Sequence, residues 1–221
     1  MTNSERLYQL LLESSFVGAK GEASFTLQNL TTPIQDKSVF GNLIQEWLKV
    51  FMQQNQTPYR LVANTQAFPD FLMHATSDEE DLLEVKCFTK SPNFDVANFQ
   101  AYARSLLENP YRLNAHYLLI EYTALDEGLV IENLWLKKVW EITGGSERAA
   151  VKIQWKQGNP VNIRPSVWYS TSTQYPSFTS RKEFVQALKA VIDTTPACSN
   201  IQRDWFKKVS QKYEEQTGCV L

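Results

Sequence analysis

The chain is poor in the residues that catalysis and metal binding most often use. In 221 residues it has three cysteines, Cys87, Cys198 and Cys219, and two histidines, His74 and His116. An odd number of cysteines, none at metal-ligand spacing, excludes a disulfide framework and a cysteine-based zinc site as organising features. Both histidines sit among apolar neighbours, which favours structural roles and leaves a Ser-His-Asp triad without support. No apolar run reaches the ~18 residues of a membrane span. The first residues, MTNSERLYQLLLESS, carry acids and lack the pattern of a signal peptide. The expected compartment is therefore the cytosol, with no membrane partner. There is no phosphate-binding P-loop, no repeat and no low-complexity tract. A net charge of −2 does not announce a nucleic-acid binder. What the chain does have is 43% hydrophobic residues, enough for a full core, and one domain over 1–221 is the expectation.

The charges are unevenly placed. Asp70, Asp78, Glu79, Glu80, Asp81, Glu84 and Asp95 stand against only Lys86 and Lys90 over residues 66–99. Over 135–182, Lys137, Lys138, Arg148, Lys152, Lys156, Arg164, Arg181 and Lys182 stand against Glu141 and Glu147. One region is suited to a cation and the other to phosphates.

Periodicity supplies the elements. Residues 3–15 read as a helix with Leu7, Leu10, Leu11 and Leu12 near one side. Gly18 and Gly21 flank Lys20 in an expected loop, from which Lys20 can approach a DNA backbone, before a short strand at Ser24–Leu30. Ser38–Gln54 is an amphipathic helix, with Phe40, Leu43, Ile44, Trp47, Leu48 and Phe51 on the apolar face and Glu46 beside it. Pro58–Ala67 is strand material, Asp95–Glu108 a helix ended by Asn109-Pro110, and His116–Tyr122 a buried strand. Leu129–Trp140 supplies another strand. Short strands are expected at Val151–Trp155, Val161–Ile163 and Val167–Tyr169, with the hydroxyl-rich loop Ser170–Ser177 after them. Ser180–Asp193 is a helix that opens on a capping box, Ser180 with Glu183, and Cys198–Glu214 is the last helix.

The most informative stretch is Phe68–Phe88, FPDFLMHATSDEEDLLEVKCF. Apolar residues surround Asp70 and again Glu84, with the polar tip 76–81 between them, the pattern of two strands joined by a solvated loop. Glu84 and Lys86 are two apart on a strand and so share a face. If the strands pair, two carboxylates and one ammonium meet on one side of a sheet. Such a set suits hydrolysis of phosphodiesters assisted by a hard divalent ion, which takes carboxylate oxygens and water.

Pro69-Asp70, a loop, then Glu84-Val85-Lys86 on a strand resembles the motif of the PD-(D/E)XK nucleases, whose largest group is the type II restriction endonucleases. The resemblance covers about residues 38–138 and leaves 139–221 as a family-specific, DNA-recognising region. It implies an α/β fold with a mixed central sheet flanked by helices, in the core order αβββαβ. It also implies a catalytic set of Asp70, Glu84 and Lys86, with Glu46 entering from the preceding helix. The metal, magnesium with manganese as substitute, would be held at Asp70, Glu84 and Val85. Lys156, Arg164, Lys20 and Asn93 are the candidate DNA contacts. The implied activity is sequence-specific cleavage of double-stranded DNA to 5′-phosphate and 3′-hydroxyl ends, by a homodimer paired in the cell with a DNA methyltransferase. A repair, junction or exonuclease member of the same superfamily, and a DNA-binding domain without activity, are the alternatives.

Overall fold

The computed structural model describes every residue except 35, 65–67, 127 and 202, together with the side chain of residue 37. The chain divides into two compact units that interleave along the sequence. The first is Met1–Ser91 with His116–Leu136, and the second is Pro92–Ala115 with Lys137–Leu221. The expected core span of 38–138 therefore crosses a boundary, because residues 92–115 belong to the second unit.

The first unit is built on a five-stranded sheet. Its strands are β1 (Lys20–Glu22), β4 (Phe71–Leu72), β5 (Leu82–Phe88), β7 (His116–Leu125) and β8 (Gly128–Lys138), in the order β1-β8-β7-β5-β4. β5 and β7 run parallel, with Val85 opposite Leu118, while β4 and β1 pair antiparallel to their neighbours, so the sheet is mixed. A parallel pair needs a long crossover, and here residues 92–115 lie within it.

β5 reads LLEVKCF. Alternation sends Leu83 and Val85 to the core, with Cys87 packed against it, and leaves Glu84 and Lys86 on the other face. The core face is covered by α1 (Asn3–Glu13) and α2 (Phe40–Gln54). α1 starts at a full capping box, Thr2 with Glu5. α2 buries Phe40, Ile44, Leu48 and Met52, a stripe at strict four-residue spacing. The helix is where the periodicity placed it, but its buried face is narrower than expected: Leu43 and Trp47 stay substantially exposed.

Several local expectations are corrected. Lys20 is on a strand, not in a flexible loop. Ser24–Leu30 is not one strand but part of a hairpin, β2 (Ser24–Leu27) and β3 (Leu30–Pro33), turning at Gln28 and Asn29, which both have positive φ. Pro58–Ala67 does not form a strand among its described residues. Only Arg60 pairs, exchanging both backbone hydrogen bonds with Leu72, and 65–67 lie outside the described residues.

The polar tip is less solvated than its composition suggests. The Asp81 side chain is only 7% exposed, and it accepts the Asn3 N–H at 2.7 Å and the Ser4 N–H at 3.3 Å, tying the tip to the start of α1. Burial pushes its carboxyl up, but the His116 imidazole, 3.8 Å away, and the N–H groups of Ser4 and Asn3 outweigh it and hold Asp81 below the ordinary carboxylate value. His74 is structural, as expected: its Nδ1 accepts the N–H groups of Thr76 and Ser77.

The second unit has a three-stranded sheet, β6 (Ala97–Asn98), β10 (Asn159–Ile163) and β9 (Ile153–Lys156), in that order. It also holds α3 (Phe99–Glu108), α4 (Arg181–Thr194) and α5 (Trp205–Thr217). α3 starts later than expected because Ala97 and Asn98 are taken by β6, and Asn98 then caps the helix by accepting the Ala101 N–H. The Ser180 cap on α4 is present, but Glu183 reaches back to Thr179 and not to Ser180. Val167–Tyr169 is not a strand: Ser166 bonds back to Ile142, and Ser170 to Val167 in a turn. No helix among the described residues is long and apolar enough to cross a membrane.

Candidate active site

The catalytic candidates meet where β4 stops short of its partner. In the β4–β5 ladder Phe71 faces Leu83, so one step further Asp70 falls opposite Glu84 and Pro69 opposite Val85. The Asp70 carboxylate takes the place of a ladder partner: its Oδ2 accepts the Val85 N–H at 2.7 Å. Opposed residues of an antiparallel pair share a face, so the same register puts Asp70 and Glu84 on one side of the sheet. Lys86, two residues beyond Glu84, closes the set, with its Nζ 2.8 Å from Glu84 Oε1. Glu84 is buried, and Asp70 and Lys86 are half-buried.

The electrostatics are those of an under-neutralised cluster. Burial pushes the Glu84 carboxyl up. Lys86 pulls it back, Asp70 raises it further, and the net direction is upward. Asp70 is also raised, by burial first, against the opposing pull of the Val85 N–H, the Lys86 charge, a hydrogen bond from Gln45 and the Lys49 charge. Two carboxylates on one face, one raising the other, with one ammonium beside them, form a site that gains from a further cation. Cys87, one position beyond Lys86, is pushed up to about 12 by burial and by the Asp70 charge, so its thiol is inert.

The donor set fits a hard divalent ion. Asp70 and Glu84 offer carboxylate oxygens, and Val85, whose side chain is apolar and buried, has only its main-chain carbonyl to give. Among the described residues there is no cluster of three or more His, Cys, Asp or Glu side chains that would hold a metal. A pair of carboxylates completed by water is the coordination magnesium favours.

Helix α2 reaches this site through a different residue from the one expected. Glu46 is 68% exposed and pairs with Lys49 at 2.6 Å. Gln45 is the α2 residue whose side-chain amide favours the charged form of Asp70, and Lys49, one turn on, adds its charge there. Gln45 and Lys49 are four apart and so lie on one side of the helix. Losing a hydrogen bond to a charged group typically costs about 1.5–3 kcal/mol. Gln45→Ala is therefore expected to slow single-turnover cleavage by about tenfold or more. Glu46→Gln, on the exposed side, is expected to change it less than about threefold. A larger loss in Glu46→Gln than in Gln45→Ala would reverse the assignment.

The remaining candidates divide between the units. Lys20 is exposed on β1 of the first. Lys156 is exposed at the end of β9 in the second. Arg164 and Asn93, also in the second, are brought together: the Arg164 guanidinium bonds Asn93 Oδ1 at 2.7 Å and ion-pairs with Asp95. Asn162 donates to the other oxygen of Asp95 at 2.8 Å. Parts of the basic segment turn inward within their own unit. The Arg181 guanidinium lies over the rings of Trp140 and Tyr213, Lys138 bonds the Asn114 carbonyl, and Lys152 bonds the Pro165 carbonyl. Counting charges over 135–182 thus overstates what that segment can offer to phosphates.

Comparison with known proteins places the chain in a family. Residues 1–221 match the NgoBV restriction endonuclease family. The type II restriction enzyme NlaIV of Neisseria lactamica is 35% identical over 219 residues, covering 97% of this chain and 90% of that protein. The type II restriction enzyme NgoBV of Neisseria gonorrhoeae is 33% identical over 160 residues, 71% of this chain and 91% of that protein. The solved structure of the NlaIV restriction endonuclease superposes with a TM-score of 0.93, at 33% identity, over 100% of this chain and 92% of that one. The mixed sheet flanked by helices is accordingly a restriction endonuclease-like fold. The chain belongs to the NgoBV restriction endonuclease family, and its activity is that of a sequence-specific, type II site-specific deoxyribonuclease.

Proposed function

We propose that the enzyme cuts double-stranded DNA at a site made of Asp70, Glu84 and Lys86, with magnesium as the ion and manganese as its substitute. Enzymes of this kind generally use divalent metal ions. The observation that supports these residues is the register-matched pair of carboxylates, both raised by burial, with Lys86 at 2.8 Å from one of them.

Asp70, Glu84 and the Val85 carbonyl would hold the ion, which would supply positive charge at the scissile phosphate and acidify water. Lys86 holds and orients the attacking water, and its ammonium offsets part of the carboxylate charge. Gln45 keeps Asp70 in place. Attack of the water oxygen on phosphorus breaks the bond to the 3′ oxygen, which takes up a proton, leaving 5′-phosphate and 3′-hydroxyl ends. Lys156, Arg164, Asn93 and Lys20 are the proposed DNA contacts, with Arg164 presented by its bonds to Asn93 and Asp95.

One such site cuts one strand. Two copies on a palindromic sequence give each strand its own site, so the proposed working unit is a homodimer. Protection of the host's own DNA calls for a methyltransferase with the same target, and the place of action is the cytosol. The test is incubation of the purified protein with a long plasmid and magnesium. Discrete, stable fragments are expected, with none in the presence of EDTA and fragments again on adding manganese. Cleavage that persists after chelation would remove the metal from the mechanism.

A further inference from the structure

Residues 23–35 contain no charged side chain. Within them β2 and β3 pair so that Phe25 faces Thr32, and Leu27 faces Leu30. These four share one side of the ribbon, while Ser24, Thr26, Thr31 and Pro33 share the other, where the hydroxyls of Thr26 and Thr31 hydrogen-bond at 2.9 Å. The apolar side is open: Phe25 is 55% exposed, Leu27 62% and Leu30 78%. A lone two-stranded ribbon is marginal in water, and this one leaves its apolar side uncovered. The apolar surface continues. A groove of about 450 Å³ is lined by Ala23, Ser24 and Ile34 at the base of the ribbon, by Leu43 and Trp47 of α2, and by Lys20 and Glu22, one charge of each sign. Leu43 and Trp47 are the side chains that periodicity assigned to the core and the fold leaves 39% and 44% exposed.

We propose that the β2–β3 ribbon, with the neighbouring flank of α2, is the surface on which a second copy of this chain docks; the inference rests on the homodimer reading above. Charge selects this occupant. A two-fold interface lays one patch against itself, so any net charge meets its own sign, whereas residues 23–35 bring none. Residues 23–35 themselves offer no cation to a phosphate backbone. The ribbon's hydrogen bonding points the same way. Among the described residues β2 and β3 pair only with each other, so each has an outer edge. An edge meeting its own two-fold copy is antiparallel by symmetry and can extend the sheet across the interface.

The experiment compares the full-length enzyme with its Leu27→Ser/Leu30→Ser variant, by sedimentation without DNA and by cleavage of supercoiled plasmid in magnesium. Both side chains are exposed, so the core is untouched, and circular dichroism checks the fold. The wild type is expected to sediment as a dimer, and the variant's dimer dissociation constant to rise by about 100-fold or more. Nicked circles should accumulate ahead of linear product. A variant that stays dimeric overturns the ribbon as the interface while the homodimer stands. A wild type that is monomeric even on its cleavable duplex overturns both. A variant still dimeric but unable to bind DNA makes the ribbon a DNA-reading element instead. Hydrogen exchange on the wild type gives an independent readout. Amides of residues 24–33 should gain protection as concentration rises from nanomolar to micromolar, and protection that ignores concentration in a dimerising protein counts against the ribbon.

Discussion

Asp70→Asn and Glu84→Gln should each abolish cleavage and, in the metal-free protein, raise the melting temperature. The two effects have one cause. Each carboxylate is held in the fold where its charged form is disfavoured, Glu84 by burial and by Asp70, and Asp70 by burial. Removing the charge while keeping the shape relieves that penalty, and in Asp70→Asn the new amide's carbonyl can still accept the Val85 N–H. A domain of this size gains about 2–4 °C per kcal/mol relieved. The sign with pH follows. A carboxyl whose folded pKa is raised above its unfolded value costs stability as pH rises through that window, and the full cost applies above it. The thermal gain of the variants should therefore be complete at pH 8 and shrink as pH falls into the carboxylate range. Cleavage in magnesium should drop by about a thousandfold or more, since a metal ion is worth several kcal/mol at the transition state. Near-wild-type cutting by either variant would move the site elsewhere. Cutting lost together with a lower melting temperature in both would mean that the carboxylates are structural.

The meeting of Asp70, Glu84 and Lys86 at the centre of this candidate site was legible because a strand has a fixed period. Glu84 and Lys86 must share a face, and the apolar residues beside them mark that strand as buried, so Asp70 is the natural carboxylate of the paired strand. Gln45 was not legible. On α2, adjacent residues differ by about 100° around the helix axis. Which of Gln45 and Glu46 meets Asp70 depends on how the helix rotates against the sheet, and sequence alone favoured the carboxylate. The same rotation explains Leu43 and Trp47: a stripe at 40, 44, 48 and 52 is narrower than the apolar face on which it lies. Arg181 and Lys138 counted as basic residues although their charges turn inward, to aromatic rings and to a carbonyl. Asp81 read as solvated tip because its partners, Asn3 and Ser4, lie more than seventy residues away. Short elements set by long-range pairing, such as β1 and β6, had no local signal at all.

Lys86→Ala should lose about 10²–10⁴ in single-turnover rate, the range of a positioned proton-handling group, while DNA binding changes by less than about threefold. The geometry separates these effects. Lys86 Nζ is committed to Glu84 at 2.8 Å and its side chain is 23% exposed, so it faces the carboxylates and is not displayed as a general phosphate contact. Taking away the ammonium leaves less positive charge beside Asp70 and Glu84, which would strengthen their proposed hold on a divalent ion. Lost metal is therefore not an available explanation for lost turnover, and raising the magnesium concentration should not rescue the variant. Lys86→Arg keeps the charge but replaces a compact three-donor ammonium by a planar fork. It should restore the ordinary balance of charge at Glu84 and still remain slow by about a hundredfold. Binding is read by gel shift in calcium, and rate by quenched single turnovers at saturating magnesium. A rate and an affinity that fall together in Lys86→Ala would make the residue a phosphate contact. An Arg variant as fast as wild type would reduce its role to charge alone, and the water-positioning step would then need another group, with Lys49 on α2 a second cation whose charge acts on Asp70.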